Sequence, residues 1–140
     1  MYKNEELIKT GDTYHNEFSY SQAEVDLFSK VSGDHNPIHH DAAYAATTIF
    51  KKPIIHGMLS ASVFSKVFGT EFPGEGTIYL SQQLQFKRPM YVDQVYVASF
   101  EVSETDPEKH KATITTLVKH KETGDVTIQG VAQVMNLKRI

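Results

Sequence analysis

His56-Gly57-Met58-Leu59-Ser60-Ala61-Ser62-Val63-Phe64-Ser65-Lys66-Val67-Phe68-Gly69 decides how the rest of the chain must fold. Its apolar residues, Met58, Leu59, Val63, Phe64, Val67 and Phe68, lie around most of a helix rather than along one stripe. A helix of that kind has little face to give to water and must be enclosed. Ala61 and Ser62 are small enough to let another layer come close. The pattern runs from His56 to Phe68, and Gly69 reads as the C′ stop.

The flanking stretches supply the cover. Residues 1–10 are polar apart from Leu7-Ile8 and read as a loose lead-in. Thr13 to Ser19 partly alternates and predicts a first strand. Ser21 and Glu24 have capping-box spacing, and Val25, Phe28 and Val31 recur at helical intervals, which predicts a helix over 21–32. Asp41 is placed to cap a short helix from Ala42 to Thr47, with Ala43, Tyr44 and Ala46 expected against the main body. After Gly69 come four strand candidates: Gly76 to Phe86, Gln94 to Ser103, Ala112 to Lys119 and Val126 to Leu137. The second alternates, with Tyr96, Ala98 and Phe100 on one face and Val95, Val97 and Ser99 on the other. Thr105 to Lys109 is a turn cluster, and Thr123-Gly124-Asp125 is a hairpin signal. One strand, a helical excursion, a buried helix and four meandering strands predict the α+β class: an antiparallel five-stranded sheet with a helix packed on it. There is no repeat and no second domain, so residues 1–140 read as one unit.

Composition removes several function classes. The formal net charge of −3 gives no basic field for nucleic acid. The chain has no cysteine, which excludes disulfides, thiol nucleophiles and Cys-ligated zinc. Met1 to Glu6 lacks the apolar core of a signal peptide, and no run approaches the ~20 apolar residues of a membrane span. The expectation is a cytoplasmic enzyme or binding protein.

Chemistry concentrates in Ser32-Gly33-Asp34-His35-Asn36-Pro37-Ile38-His39. Gly33 lets the backbone turn, while Pro37 fixes its own φ and pushes Asn36 into an extended conformation. The segment is a rigid loop, aiming a carboxylate, a carboxamide and an imidazole at one place. Asp, Asn, Gly and Pro are also simply turn formers. A second cluster, Pro53-Ile54-Ile55-His56-Gly57-Met58-Leu59, tips the balance: Gly57 at a helix start offers a free N–H to a developing oxyanion. Asp34 and His39 are then acid/base candidates, and Asn36 a positioning amide. His35 and His39 have the i,i+4 spacing of a zinc helix, but Pro37 between them breaks such a helix, so no metal is expected. His56 is expected only to brace the loop, His35 and His40 to lie at the surface or behind the site, and Lys51-Lys52 to be solvated.

These two stretches, with Asp41, Tyr44-Ala45 and the later Phe86-Lys87-Arg88-Pro89-Met90-Tyr91-Val92-Asp93, resemble the MaoC-like, (R)-specific enoyl-CoA hydratases over nearly the whole chain. The resemblance implies a hot-dog fold, reversible hydration of trans-2-enoyl-CoA to (R)-3-hydroxyacyl-CoA, a homodimer, and no cofactor. It implies Asp34 and His39 as the catalytic pair with one water between them, and places Ser62 near the site. An acyl tail then needs a lining, expected from Phe28, Tyr44, Ile49, Ile55, Leu59 and Val63. The carrier could be CoA or acyl carrier protein. Two other functions fit the same chain: a hot-dog acyl-CoA thioesterase, and a non-catalytic acyl-binding module.

Overall fold

A computed structural model describes residues 5–140, so the first four residues of the expected lead-in lie outside it. The chain runs through β1 (Thr13–Phe18), α1 (Gln22–Ser32), a 3₁₀ turn (Pro37–His39), α2 (Ala42–Ala46), α3 (Gly57–Thr70), β2 (Ile78–Phe86), β3 (Tyr96–Asp106), β4 (Lys111–His120) and β5 (Val126–Met135). The strands form one five-stranded sheet in the order β1-β3-β4-β5-β2, with every neighbouring pair antiparallel.

The sheet curls around α3, the hot-dog arrangement. Alternation does the work on the sheet side: Tyr96, Ala98, Phe100 and Val102 of β3, and Ile114 and Val118 of β4, are all buried. They meet Val63, Phe64, Val67 and Phe68 of α3 in one core. Phe64 and Phe68 approach the Phe100 ring edge-on, at centroid separations of 5.7 and 5.3 Å, the geometry that aligns a ring's positive edge with another's negative face.

Three local expectations need correction. Gly69 does not stop α3, which runs to Thr70 and is closed by Glu71 N–H on the Val67 carbonyl; an exposed glycine tolerates either conformation, and the Phe72–Gly74 turn decides the end instead. Ala43, Tyr44 and Ala46 of α2 face solvent, with Tyr44 45% exposed, while Ala45 is the residue that packs. The helix is a single turn and a half, too short for sequence spacing to fix its rotation. β3 extends three residues past Ser103, so the turn lies nearer His110 than the Thr105–Lys109 cluster suggested.

α1 delivers the loop that follows. Ser21 accepts from the Glu24 N–H and Glu24 returns the bond to the Ser21 N–H, so the capping box is complete. At the other end Gly33 takes the left-handed conformation, φ 80°, and its N–H closes on Ser29 O, as helix C-termini commonly do. The chain leaves α1 in one defined direction, with Asp34 next.

β5 and β2 approach unusually closely at Gly130. A Cβ there would lie 1.8 Å from the Gln83 carbonyl oxygen of β2. We expect Gly130→Ala to destabilise the fold by about 3 kcal/mol, because neither backbone can yield without loss of ladder bonds. Urea unfolding checks this; an unchanged midpoint would mean that β2 is held more loosely on β5 than the geometry requires.

Candidate active site

Three segments distant in sequence meet at the N-terminus of α3. Ile54 N–H bonds Ile38 O at 3.1 Å and Ile55 N–H bonds Met90 O at 2.8 Å. The loop after α1, the approach to α3 and the segment after β2 therefore share one backbone junction. Beside it lies a cavity of about 590 Å³, with Asp34, His56, Gly57, Ser60, Lys87 and Arg88 as polar lining and Ile54, Ile55, Met58, Phe86, Met90 and Ile128 among its apolar walls.

The Asp34 loop is held by its own short side chains. Asp34 N–H donates to Ser32 Oγ, Asn36 N–H donates to Asp34 Oδ1, and Ile38 N–H donates to Asn36 Oδ1. Asn36 thus caps the 3₁₀ turn and does not line the cavity. One Asp34 oxygen is engaged within the loop. The other, Oδ2, stands 4.0 Å from His39 Nε2, with the Asp34 side chain half exposed and that of His39 9% exposed.

The His39 tautomer follows from its partner. Nδ1 lies 2.8 Å from Ile54 O. A carbonyl only accepts, so Nδ1 carries the hydrogen and, in the neutral ring, Nε2 keeps a bare lone pair on the Asp34 side. The gap between Nε2 and Oδ2 is too long for a direct bond but admits a water bonded to both.

His56 stacks on His39, with centroids 3.8 Å apart and planes 28° from parallel. Its Nε2 is 3.3 Å from the Asp34 carbonyl and 2.9 Å from Ser29 Oγ. Burial, and then the His39 ring, push the His56 pKa below its ordinary value of 6.5, so the ring is neutral at neutral pH. Asp34, His39 and His56 form a cluster of potential metal ligands, yet stacked imidazoles send their in-plane lone pairs side by side rather than to one tetrahedral centre. Gly57 opens α3, whose N-cap His56 makes no side-chain capping bond. The Gly57 N–H is outside the helical ladder and available to an anion. A Cβ on Gly57 would come within 2.8 Å of the Phe86 ring.

Asp34, Gly57 and Ile55 line the cavity and His39 stands beside Asp34 without lining it, while other residues expected there lie apart. Leu59 and Val63 are in the main core. Phe28 is half-buried, with its ring 4.8 Å from that of His56. Tyr44 and Ile49 are exposed, Ile49 by 86%, and neither lines the cavity. Ser62 donates to Leu59 O at 2.5 Å and faces a second cavity of about 490 Å³, shared with Ala61, Ser65, Tyr79 and Leu84. The cavity walls that sequence reasoning missed, Phe86, Met90 and Ile128, come from loops and strands whose convergence no local period announces. The brace expected of His56 is more central than a brace usually is, and its signal was its place directly before an uncapped helix.

A sequence profile described as MaoC like domain matches residues 3–125. An (R)-specific enoyl-CoA hydratase of Aeromonas caviae is 44% identical over 115 residues, 82% of this chain and 85% of that one. A protein of the same description from Rhodospirillum rubrum is 41% identical over 130 residues, 93% of this chain and 89% of its own. The solved (R)-hydratase from A. caviae involved in PHA biosynthesis superposes with a TM-score of 0.88 at 40% identity, covering 92% of this chain and 97% of that one.

The lowered His56 pKa has a signed consequence. The unfolded chain takes up this proton near pH 6.5, before the folded protein does, so the His56 contribution is complete above that value and lost as pH falls below it. We expect the melting-temperature advantage of the native chain over His56→Gln to shrink between pH 7.5 and 5.5. A gap that is constant or widens on acidification would show that His56 is not held neutral by burial.

Proposed function

The chain belongs to the MaoC-like family, and from that premise we propose that it is an (R)-specific enoyl-CoA hydratase, a hydro-lyase adding water reversibly to trans-2-enoyl-CoA. The observation that carries the reading is the pair Asp34 Oδ2 and His39 Nε2, 4.0 Å apart, beside the uncapped start of α3. A thioesterase has no use for that bridged pair as both donor and acceptor, and the relatives' names speak of hydratases.

In the proposed reaction the thioester lies in the apolar cavity with its carbonyl oxygen at the Gly57 N–H. A water spans Asp34 and His39. His39 Nε2 takes one of its protons while Asp34 Oδ2 accepts a hydrogen bond from the other. The water oxygen bonds to C3, and negative charge moves onto the thioester oxygen, where one positioned donor is worth about 10²–10³ in rate. The proton then returns to C2, so that one water crosses the double bond and both side chains end as they began. Lys87 and Arg88 border the same cavity and suit a carrier that bears phosphate, whether CoA or acyl carrier protein. The reading places the enzyme in the cytoplasm; among the described residues no helix is long and apolar enough to cross a membrane.

Asp34→Asn and His39→Ala should each stay folded and slow crotonyl-CoA hydration by at least ~10²-fold. Loss of the enoyl thioester absorbance measures the rate, and coupling to (R)- and (S)-specific dehydrogenases identifies the product. Near-normal turnover in either variant removes that residue from the mechanism, and an (S) product contradicts the assignment.

We further propose a homodimer joined along β2. β2 is an edge strand, and it exposes Ile78, Leu80 and Phe86 by 54, 41 and 52%. Soluble proteins rarely leave so apolar an edge open. Light scattering at micromolar concentration should give twice the chain mass, and Ile78→Lys with Leu80→Lys should lower it. A monomeric native chain with full activity would refute the dimer.

A further inference from the structure

Behind the reacting pair runs a chain of hydrogen bonds that the hydration reading does not use. α1 carries Gln22, Asp26 and Ser29 at i, i+4 and i+7, one polar stripe on one helical face. Asp26 Oδ1 is 2.8 Å from His40 Nδ1. His40 Nε2 is 2.6 Å from Ser29 Oγ. Ser29 Oγ is 2.9 Å from His56 Nε2, which also reaches the Asp34 carbonyl at 3.3 Å. Gln22 Nε2 ties the stripe to the loop by donating to both Asp26 Oδ1 and His39 O. Ser29 is 2% exposed, so it cannot serve as a nucleophile for a substrate despite its Ser-His-Asp company.

Both ends of this chain are pure acceptors, and with a neutral His40 ring that fixes every proton between them. The Asp26 carboxylate accepts, so His40 Nδ1 carries hydrogen. Donation from Gln22 and then His40 holds the Asp26 carboxyl below its ordinary range, so it stays ionised. In the neutral form of the His40 ring Nε2 is bare and takes the Ser29 hydroxyl hydrogen. At the other end the Asp34 carbonyl accepts, so His56 Nε2 carries hydrogen and shares it with Ser29 Oγ. His56 Nδ1 is left bare, and it is buried with no hydrogen-bond partner among the described residues. The Asp34 carbonyl holds that hydrogen at 3.3 Å, and Ser29 Oγ, its own hydrogen drawn to His40, accepts it at the shorter distance of 2.9 Å, so the closer of the two contacts favouring Nε2 depends on the chain.

We propose that Asp26, His40 and Ser29 are positioning residues that lock His56 in its Nε2–H form, and that this form holds the Asp34 main chain and the ring on which His39 stacks. The inference rests on the hydratase reading only for its effect on rate. The lock is a property of the ligand-free protein. Three of its members, Asp26, Ser29 and His40, lie outside the cavity lining, so their loss should act through His56 and not through substrate binding.

The test pairs a spectroscopic readout with kinetics on the full chain. ¹⁵N NMR of the imidazoles near neutral pH should show His56 with Nε2 protonated and Nδ1 bare. Ser29→Ala and His40→Leu should each turn this into a mixture of tautomers and lower kcat for crotonyl-CoA by roughly 10-fold, with KM within about twofold, since an interaction made only in the transition state leaves KM alone. Asp26→Asn, whose Oδ1 still accepts from His40, should retain the native His56 signal, whereas Asp26→Ala should not. A native His56 signal in both Ser29→Ala and His40→Leu overturns the proposal, as does a mixed signal in the native chain. A change in KM alone also overturns it. If the native chain turns over no enoyl-CoA, the hydratase reading fails, and the NMR comparison still decides the lock.

Discussion

The hydrogen bond from His39 Nδ1 to the Ile54 carbonyl is the constraint on which the site depends. It is worth only about 1 kcal/mol of net stability, like most of its kind. Its importance is directional: it assigns the ring's hydrogen, aims Nε2 at Asp34, and joins the loop after α1 to the approach to α3. The parallel bond from Ile54 N–H to Ile38 O makes the junction two-sided, so neither segment can turn without breaking the other's contact. α3 can then present an uncapped N-terminus beside a fixed imidazole, because the segment entering the helix is already tethered.

Polar groups taken out of water concentrate beside the candidate site. Thr116, Thr127 and Asn136 are buried elsewhere, while Ser29, His39, His56 and Ser60 are all buried around the same junction. Two of their atoms, His56 Nδ1 and Ser60 Oγ, have no hydrogen-bond partner among the described residues. Buried polar atoms are nearly always satisfied in native proteins; the other such atom among the described residues, Asn16 Oδ1, lies on β1, so two of the three sit on residues that line the cavity of the candidate site.

Much of this was legible in the sequence because it is written in short-range codes. Ser21 with Glu24 gave α1, the all-round apolar pattern gave α3, and alternation at Tyr96, Ala98 and Phe100 gave the buried face of β3. Asp34, His39 and Gly57 could be singled out because turn residues and a helix start constrain them locally. The cavity lining was harder, since it depends on where a curled sheet brings Phe86, Met90 and Ile128 relative to α3. Leu59 and Val63 have the right chemistry for a pocket, but the side of α3 that carries them packs into the sheet. Tyr44 fails for a different reason: α2 is so short that a rotation by one residue exchanges its packed and solvent sides. The Asp26–His40–Ser29 chain was invisible because its members look like ordinary polar surface residues until α1 and the loop are folded together.

The close approach of Gly57 to Phe86 makes those two positions a single unit of variation. Any side chain larger than hydrogen at 57 needs a smaller or displaced ring at 86, and a smaller residue at 86 removes the steric demand for glycine. The demand is therefore one-sided, falling on position 57 when position 86 keeps its ring in place. A smaller residue at 86 can come first with no steric demand on the helix start, whereas a side chain at 57 coming first requires the half-exposed Phe86 ring to swing aside.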